Sequence, residues 1–423
     1  MKLPSLLENW IAKRGERSAI ILKNTIISFG LKGISLLSNF LLVPLTIDYL
    51  NPTRYGIWLT ISSIVGWMYL FDIGIGNGLR NKLAESLATG DIETSRKYVS
   101  TSYFIIAIVS IGLMIISAIL IPLFNWSRIL NSPETYAREL MVLTLLVFVF
   151  FWMQFTLRLV SMILIADLRT AQNDLIGVVS SLSSLILVYL ATFYSEGSLI
   201  LLGIILSSIP VCVLLIASFF LFKKRYRGIR PTYYAVDWHS SKDILGLGVK
   251  FFILQISATI VYQSANIILI QLFGPNSVTE FNIAYKYFSI PLMLYIILIM
   301  PLWSAFTDAY AKNDMVWMRT TINTYKLFTV VFSVFVLLML TISNFSYRIW
   351  VGDQIHVSFL LSMSMAIYVI LFMWMSLYIY IINGIGKVQL QVYASIVEII
   401  FNIPFSIFLG KIFGIKGRSE ERR

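Results

Sequence analysis

Residues 49–86 read YLNPTRYGIWLTISSIVGWMYLFDIGIGNGLRNKLAES. The fold follows from how this stretch passes from polar to apolar and back. Gly56 to Ile75 supplies about 20 mostly apolar residues, the length a helix needs to cross a hydrocarbon core of about 30 Å. In front of it, Asn51-Pro52 and Gly56 predict a tight turn, because proline fixes φ and glycine enters conformations that other residues avoid. Behind it, Gly74, Gly76 and Gly78 loosen the helix and Asn77 adds a polar edge. Arg80, Asn81 and Lys82 then open a charged amphipathic segment. The stretch is thus expected to be one complete membrane crossing with both of its exits.

The whole chain agrees with that reading. Its 423 residues are 58% hydrophobic and only 13% charged, and the mean hydropathy is +0.82, which excludes a soluble globular domain. The net charge of +12 does not indicate nucleic acid, since the basic residues fall in short loops between apolar runs, where topology and anionic membrane lipid account for them. Cys212 is the only cysteine, so neither an intrachain disulfide nor a cysteine-rich metal site is available; it is expected to be a small buried hydrophobe. No signal peptide is expected, because the first residues lack an apolar core followed by a small-residue cleavage site.

Residues 1–21 carry Leu6, Leu7, Trp10 and Ile11 followed by Lys13, Arg14 and Arg17. Two readings stay open, an amphipathic interfacial helix and a plain basic leader. Apolar runs follow at 22–48, 56–78, 99–124, 140–166, 173–194, 198–222, 245–273, 280–306, 323–346, 357–383 and 388–413, so the fold class is an all-α polytopic membrane protein with about 11 spans. With the N-terminus cytoplasmic, inner loops outweigh outer loops in Lys and Arg by roughly five to one, the outer ones receiving Arg54, Arg128, Arg138 and Arg348. A basic cytoplasmic linker, 223–243, divides a six-helix bundle at 22–222 from a C-terminal bundle at 244–417. Tyr49-Leu50-Asn51-Pro52 after the first span has a counterpart in Leu272-Phe273-Gly274-Pro275 after the seventh, which suits a parallel repeat about an axis along the membrane normal. The hydrophilic tail 418–423 falls outside in this topology despite its basic residues, so the expectation is an end truncated before a twelfth helix.

The turn Asn51-Pro52-x-x-Tyr55-Gly56-Ile57-Trp58 and the run Phe71-Asp72-Ile73-Gly74-Ile75-Gly76-Asn77-Gly78-Leu79-Arg80-Asn81-Lys82 together resemble the bacterial polysaccharide biosynthesis exporters. These are Wzx-type, O-antigen-like lipid-linked oligosaccharide flippases of the multidrug/oligosaccharidyl-lipid/polysaccharide exporter superfamily. The resemblance implies 12 or more helices in two six-helix bundles related by a pseudo-two-fold. It also implies a carrier in the bacterial cytoplasmic membrane that turns an undecaprenyl-diphosphate-linked glycan from the inner to the outer leaflet by alternating access. Its partners would be the lipid-linked glycan, membrane lipids and a polysaccharide polymerase complex, with no nucleic acid and no cofactor.

Charged residues inside spans are the site candidates, because an unpaired charge in hydrocarbon costs on the order of 3 kcal/mol even on insertion scales. Lys32, Arg158, Lys250 and Lys286 are candidates for a diphosphate headgroup, Arg158 by bidentate contact and the lysines as point charges. For Lys250 and Lys286 the competing reading is snorkelling to the nearer interface; for Lys32 and Arg158 it is structural pairing with an acid. Glu398, about ten residues into the last span, and Asp72 are candidates for ion coupling. Against those roles stand a structural ion pair for Glu398 and a cap on the glycine-rich bend for Asp72. Gln255, Gln263 and Asn266 recur at roughly helical spacing in the seventh span, facing either the sugar or neighbouring helices. His239 and His356 lie on opposite sides of the membrane, so no metal site is expected, and no nucleophile motif or catalytic loop points to an enzyme. The alternatives are a drug/cation antiporter of the same superfamily and a membrane enzyme of glycan assembly, a polymerase or ligase.

Overall fold

The computed structural model describes residues 16–72, 74–238, 264–299, 302, 306, 309–310, 313–353, 355–385, 393–394, 397 and 400–408. Among these residues the fold is all-α, with no strand. Among the described residues eight helices are long and apolar enough to cross a membrane, so the chain is a multi-pass membrane protein. The expected interfacial segment lies partly outside the described residues; from Glu16 onward the chain is already part of the first long helix. The span at 388–413, most of 245–273 and the tail 418–423 lie largely or wholly outside them.

Close packing divides the chain into two units, Met1–Leu50 with Ile64–Thr259, and Asn51–Ser63 with Ile260–Arg423. Unit 1 begins with α1 (Glu16–Leu50). It continues through α3 (Ile75–Thr89), α4 (Ile92–Leu120), α5 (Ala137–Leu157), α6 (Leu159–Ala166), α7 (Thr170–Tyr194) and α8 (Leu199–Lys223). Intervening α2 (Pro52–Met68) spans the division between the two units.

The apolar pattern is inverted relative to a soluble protein. Leu37 and Leu41 of α1 and Leu175, Ile186 and Phe193 of α7 are exposed, as expected of faces that meet lipid. Between the helices, small polar groups do the joining, as is usual where lipid tails remove the hydrophobic drive for association. Along the α1–α7 seam Ser181 Oγ donates to Ser35 Oγ at 3.4 Å, and at the start of α8 the Tyr49 hydroxyl takes the Ser198 N–H at 3.1 Å. Cys212 departs from expectation: it is exposed on α8 near Leu215, Ile216 and Phe219, also exposed. Apolar sequence alone does not distinguish a lipid-facing position from a buried one.

A second core lies where α3, α4, α5 and α6 meet. Leu79, Leu83, Val99, Ile106, Trp152 and Ile163 are buried there, and Trp152 Nε1 donates to Ser117 Oγ at 3.1 Å. Below it, Asp167 Oδ2 accepts from Arg169 Nε, Arg225 Nε and the Tyr226 hydroxyl at 2.9, 3.0 and 2.8 Å. This ties the turn after α6 to the loop after α8. Burial, and then the Asp167 carboxylate, push the Tyr226 hydroxyl above its ordinary range.

Unit 2 contains α9 (Ser264–Phe273), α10 (Pro275–Ile299), α11 (Met315–Thr341), α12 (Ser343–Val351) and α13 (Phe359–Gly384). Tyr295 OH meets Thr329 Oγ1 at 2.7 Å between α10 and α11. The two Pro-containing turns share one local geometry. Asn51 has φ 86 and Gly274 has φ 87, and in each case proline is the first residue of the next helix, where its missing N–H costs nothing. Asn51 Oδ1 also caps α2 by accepting the Arg54 N–H at 3.0 Å.

Gly56 does not make that turn. It lies in α2, buried, where an added Cβ would fall 1.9 Å from the Pro275 carbonyl oxygen. The Thr279 hydroxyl donates to Pro52 O at 2.7 Å beside it. The glycine is there for close approach of two backbones, a demand that local sequence does not reveal.

Candidate functional site

The expected unbroken crossing from Gly56 to Ile75 is corrected by the structure. α2 ends at Met68, a 3₁₀ turn occupies Tyr69–Asp72, and Gly74 is left-handed at φ 77 before α3 begins. Three glycines in alternate positions weaken a helix at about 1 kcal/mol each relative to alanine, and Gly74 takes a conformation that a side chain would strain. The break is what builds the site. Tyr69 from the 3₁₀ turn and Gly76 and Asn77 from the first turn of α3 line a cavity of about 560 Å³ with Gln154 and Arg158.

Arg158 stands at a second break. It caps α5 and precedes α6, with its N–H on Gln154 O at 2.8 Å and its carbonyl accepting the Ser161 N–H at 3.0 Å. Its guanidinium lies over the Tyr69 ring, 4.8 Å from the centroid, a contact favourable for a cation and a π face. Arg158 and Gln154 also line a second cavity of about 270 Å³ with Lys32, Ser35, Asn173 and Asp174.

Lys32 and Arg158, two charges drawn from distant stretches of sequence, therefore share one polar cavity. Lys32 Nζ lies 4.0 Å from Asp174 Oδ2, with the lysine side chain 56% exposed and the aspartate 15%. Asp174 Oδ2 accepts no hydrogen bond among the described residues. Asp174 escaped sequence reading because it stands near the start of a span, where an acid passes as a boundary residue.

The remaining candidates separate. Lys286 belongs to unit 2, where its Nζ donates to the Tyr55 hydroxyl at 3.3 Å. Asn266 is 8% exposed and donates to Ser63 Oγ at 2.7 Å. Lys250, Gln255, Gln263 and Glu398 lie outside the described residues, as does the side chain of Asp72. No group of three or more His, Cys, Asp or Glu capable of holding a metal occurs among the described residues.

Long helices around polar cavities make up the fold. It is shared with an inward-facing multidrug resistance MATE family transporter of the MOP superfamily, at 14% identity over 88% of this chain and 87% of that one, TM-score 0.73. It is likewise shared with a MOP superfamily transporter from Pyrococcus furiosus, at 15% identity over 94% and 90%, TM-score 0.66. Residues 21–306 match the family described as polysaccharide biosynthesis protein, and the chain belongs to that family. A relative from Yersinia pseudotuberculosis, "Putative O-antigen export protein", is 25% identical over 301 residues, 67% of this chain and 64% of the relative's own length. The family is thus one of polysaccharide biosynthesis, and the fold is one also found in membrane transporters.

Proposed function

We propose that the chain translocates an undecaprenyl-diphosphate-linked oligosaccharide from the inner to the outer leaflet of a bacterial cytoplasmic membrane by alternating access, with its N-terminus cytoplasmic. The observation that carries this reading is the shared cavity of Lys32 and Arg158. A diphosphate leaving water needs charge-assisted hydrogen bonds, which are roughly twice as strong as neutral ones. Arg158 offers the planar fork that matches phosphate oxygens and Lys32 a mobile point charge. Asp174 holds Lys32 when no phosphate is present, and the ligand takes its place. The positive end of the α3 dipole, at Gly76 and Asn77 on the cavity wall, adds to the attraction for an anion.

The fold is shared with multidrug transporters, but two cations against one carboxylate among the described lining residues favour an anionic headgroup over a cationic drug. The test is complementation of a flippase-deficient strain with Lys32→Ala/Arg158→Ala at wild-type protein level. The expected result is loss of surface polysaccharide with the lipid-linked intermediate accumulating on the inner leaflet. Normal surface polysaccharide from the double variant would overturn the headgroup assignment.

A further inference from the structure

Unit 2 has a cavity of its own, about 690 Å³ in volume, in which the described lining residues include no acid and no base. Its polar lining is asparagine and serine, and its apolar lining includes the rings of Phe281, Tyr285 and Tyr368. The orientation of its amides follows from one fixed point. Val278 O can only accept, so the atom of Asn282 at 2.8 Å from it is Nδ2. The other hydrogen of that nitrogen goes to Asn266 at 2.8 Å, so Asn266 presents its oxygen there. Asn266 Nδ2 must then donate to Ser63 Oγ at 2.7 Å, and Ser63 Oγ passes its own proton to Leu59 O at 3.0 Å.

Both hydrogens of Asn282 Nδ2 and the Ser63 hydroxyl proton are spent inside the protein. What is left at the open end of this hydrogen-bond chain is an acceptor, Asn282 Oδ1, which has no partner among the described residues. Flanking Asn282 on α10, the rings of Phe281 and Tyr285, one turn apart, lie parallel within 6°, with centroids 6.3 Å apart. A fixed amide acceptor, hydroxyls and flat aromatic faces, with no charge on the described lining, are the groups that recognise a neutral sugar ring. Its hydroxyls donate to the amide and its C–H face lies against an aromatic ring. A hydrocarbon chain would leave the Asn282 acceptor unpaired, at a cost of about 1–3 kcal/mol. An anion or cation would find no opposite charge on the described walls.

We infer that this cavity is a neutral-sugar subsite for the glycan of the transported lipid, an assignment that rests on the export reading above. The test uses the full chain in lipid nanodiscs and two probes. One is undecaprenyl diphosphate without sugar; the other is the same carrier bearing its native glycan, extracted from cells that accumulate it. The wild-type chain is expected to bind the glycan-bearing carrier on the order of tenfold tighter, the worth of about one well-made hydrogen bond with its ring contact. Asn282→Leu is expected to reduce that ratio to about two while leaving the sugar-free carrier unchanged. Phe281→Ala, which leaves the amide chain intact, is expected to lower it in the same direction and carries the test if Asn282→Leu fails to fold. Equal wild-type affinity for the two carriers, or a ratio untouched by both variants, would overturn the subsite and leave the export reading standing. A uniform tightening by Asn282→Leu of both carriers would mark the cavity as a lipid-tail site and also overturn it. Failure of the wild-type chain to bind either carrier would remove the export reading, and the subsite with it.

Discussion

The cavities of the two units are polar in different ways. In unit 1, Lys32, Arg158 and Asp174 carry formal charge, and Lys32 keeps more than half its side-chain surface open. In unit 2, Asn266 is almost fully buried and neutral, with its amide held in a chain of matched donors and acceptors. The difference teaches how polarity survives among apolar helices. A charge is kept affordable by an open position and an ion partner. A neutral amide tolerates burial as long as each donor finds an acceptor.

The comparison is broken most directly by exchanging the two kinds of polarity. Asn266→Asp would bury a carboxylate whose described hydrogen-bond partners, Ser63 and Asn282, are neutral, and is expected to cost about 3 kcal/mol of stability. Thermal unfolding of the purified protein reads the loss as a lowered midpoint. Wild-type stability would show that unit 2 accepts charge after all.

A smaller effect is expected in unit 1 for Arg158→Lys, which keeps the charge but removes the planar fork. Affinity for sugar-free undecaprenyl diphosphate is expected to fall about tenfold, measured on the chain in nanodiscs. An unchanged affinity would mean that Arg158 acts as a point charge only. Tyr49→Phe serves as a baseline, because its hydroxyl joins α1 to the Ser198 backbone and it lines none of the three cavities. It is expected to cost about 1 kcal/mol of stability with carrier binding intact. The smallest effect is expected for Asp174→Asn. Its ion pair is long and its lysine exposed, so release of Lys32 should tighten carrier binding by a few-fold at most, the worth of a solvent-screened pair below about 1 kcal/mol.

Much of the frame was legible in the chain itself. Long apolar runs predict helices because nothing else satisfies backbone groups in hydrocarbon, and charged residues inside them stand out for the same reason. That logic singled out Lys32 and Arg158, which do share a cavity. It could not reach features defined by a second segment. Asp174 acquires meaning only opposite Lys32, and Asn282 only through Asn266, a contact across the turn between α9 and α10. The glycine-rich run was read as the end of a crossing, whereas the break at Gly74 brings Gly76 and Asn77 to the same wall as Arg158. Cys212 failed for the opposite reason, since burial and lipid exposure select the same apolar neighbours.

The contact at Gly56 sets a yardstick for kinship. Where a missing side chain lets one helix touch the Pro275 carbonyl, distance between the two helices is encoded by a single atom that is not there. A relative with alanine at this position must hold its second helix farther from the turn that follows α9. One with serine or larger must have moved that turn altogether. Residue 56 thus gauges, from sequence alone, which members of the family can be superposed on this arrangement of helices and which have adopted another spacing.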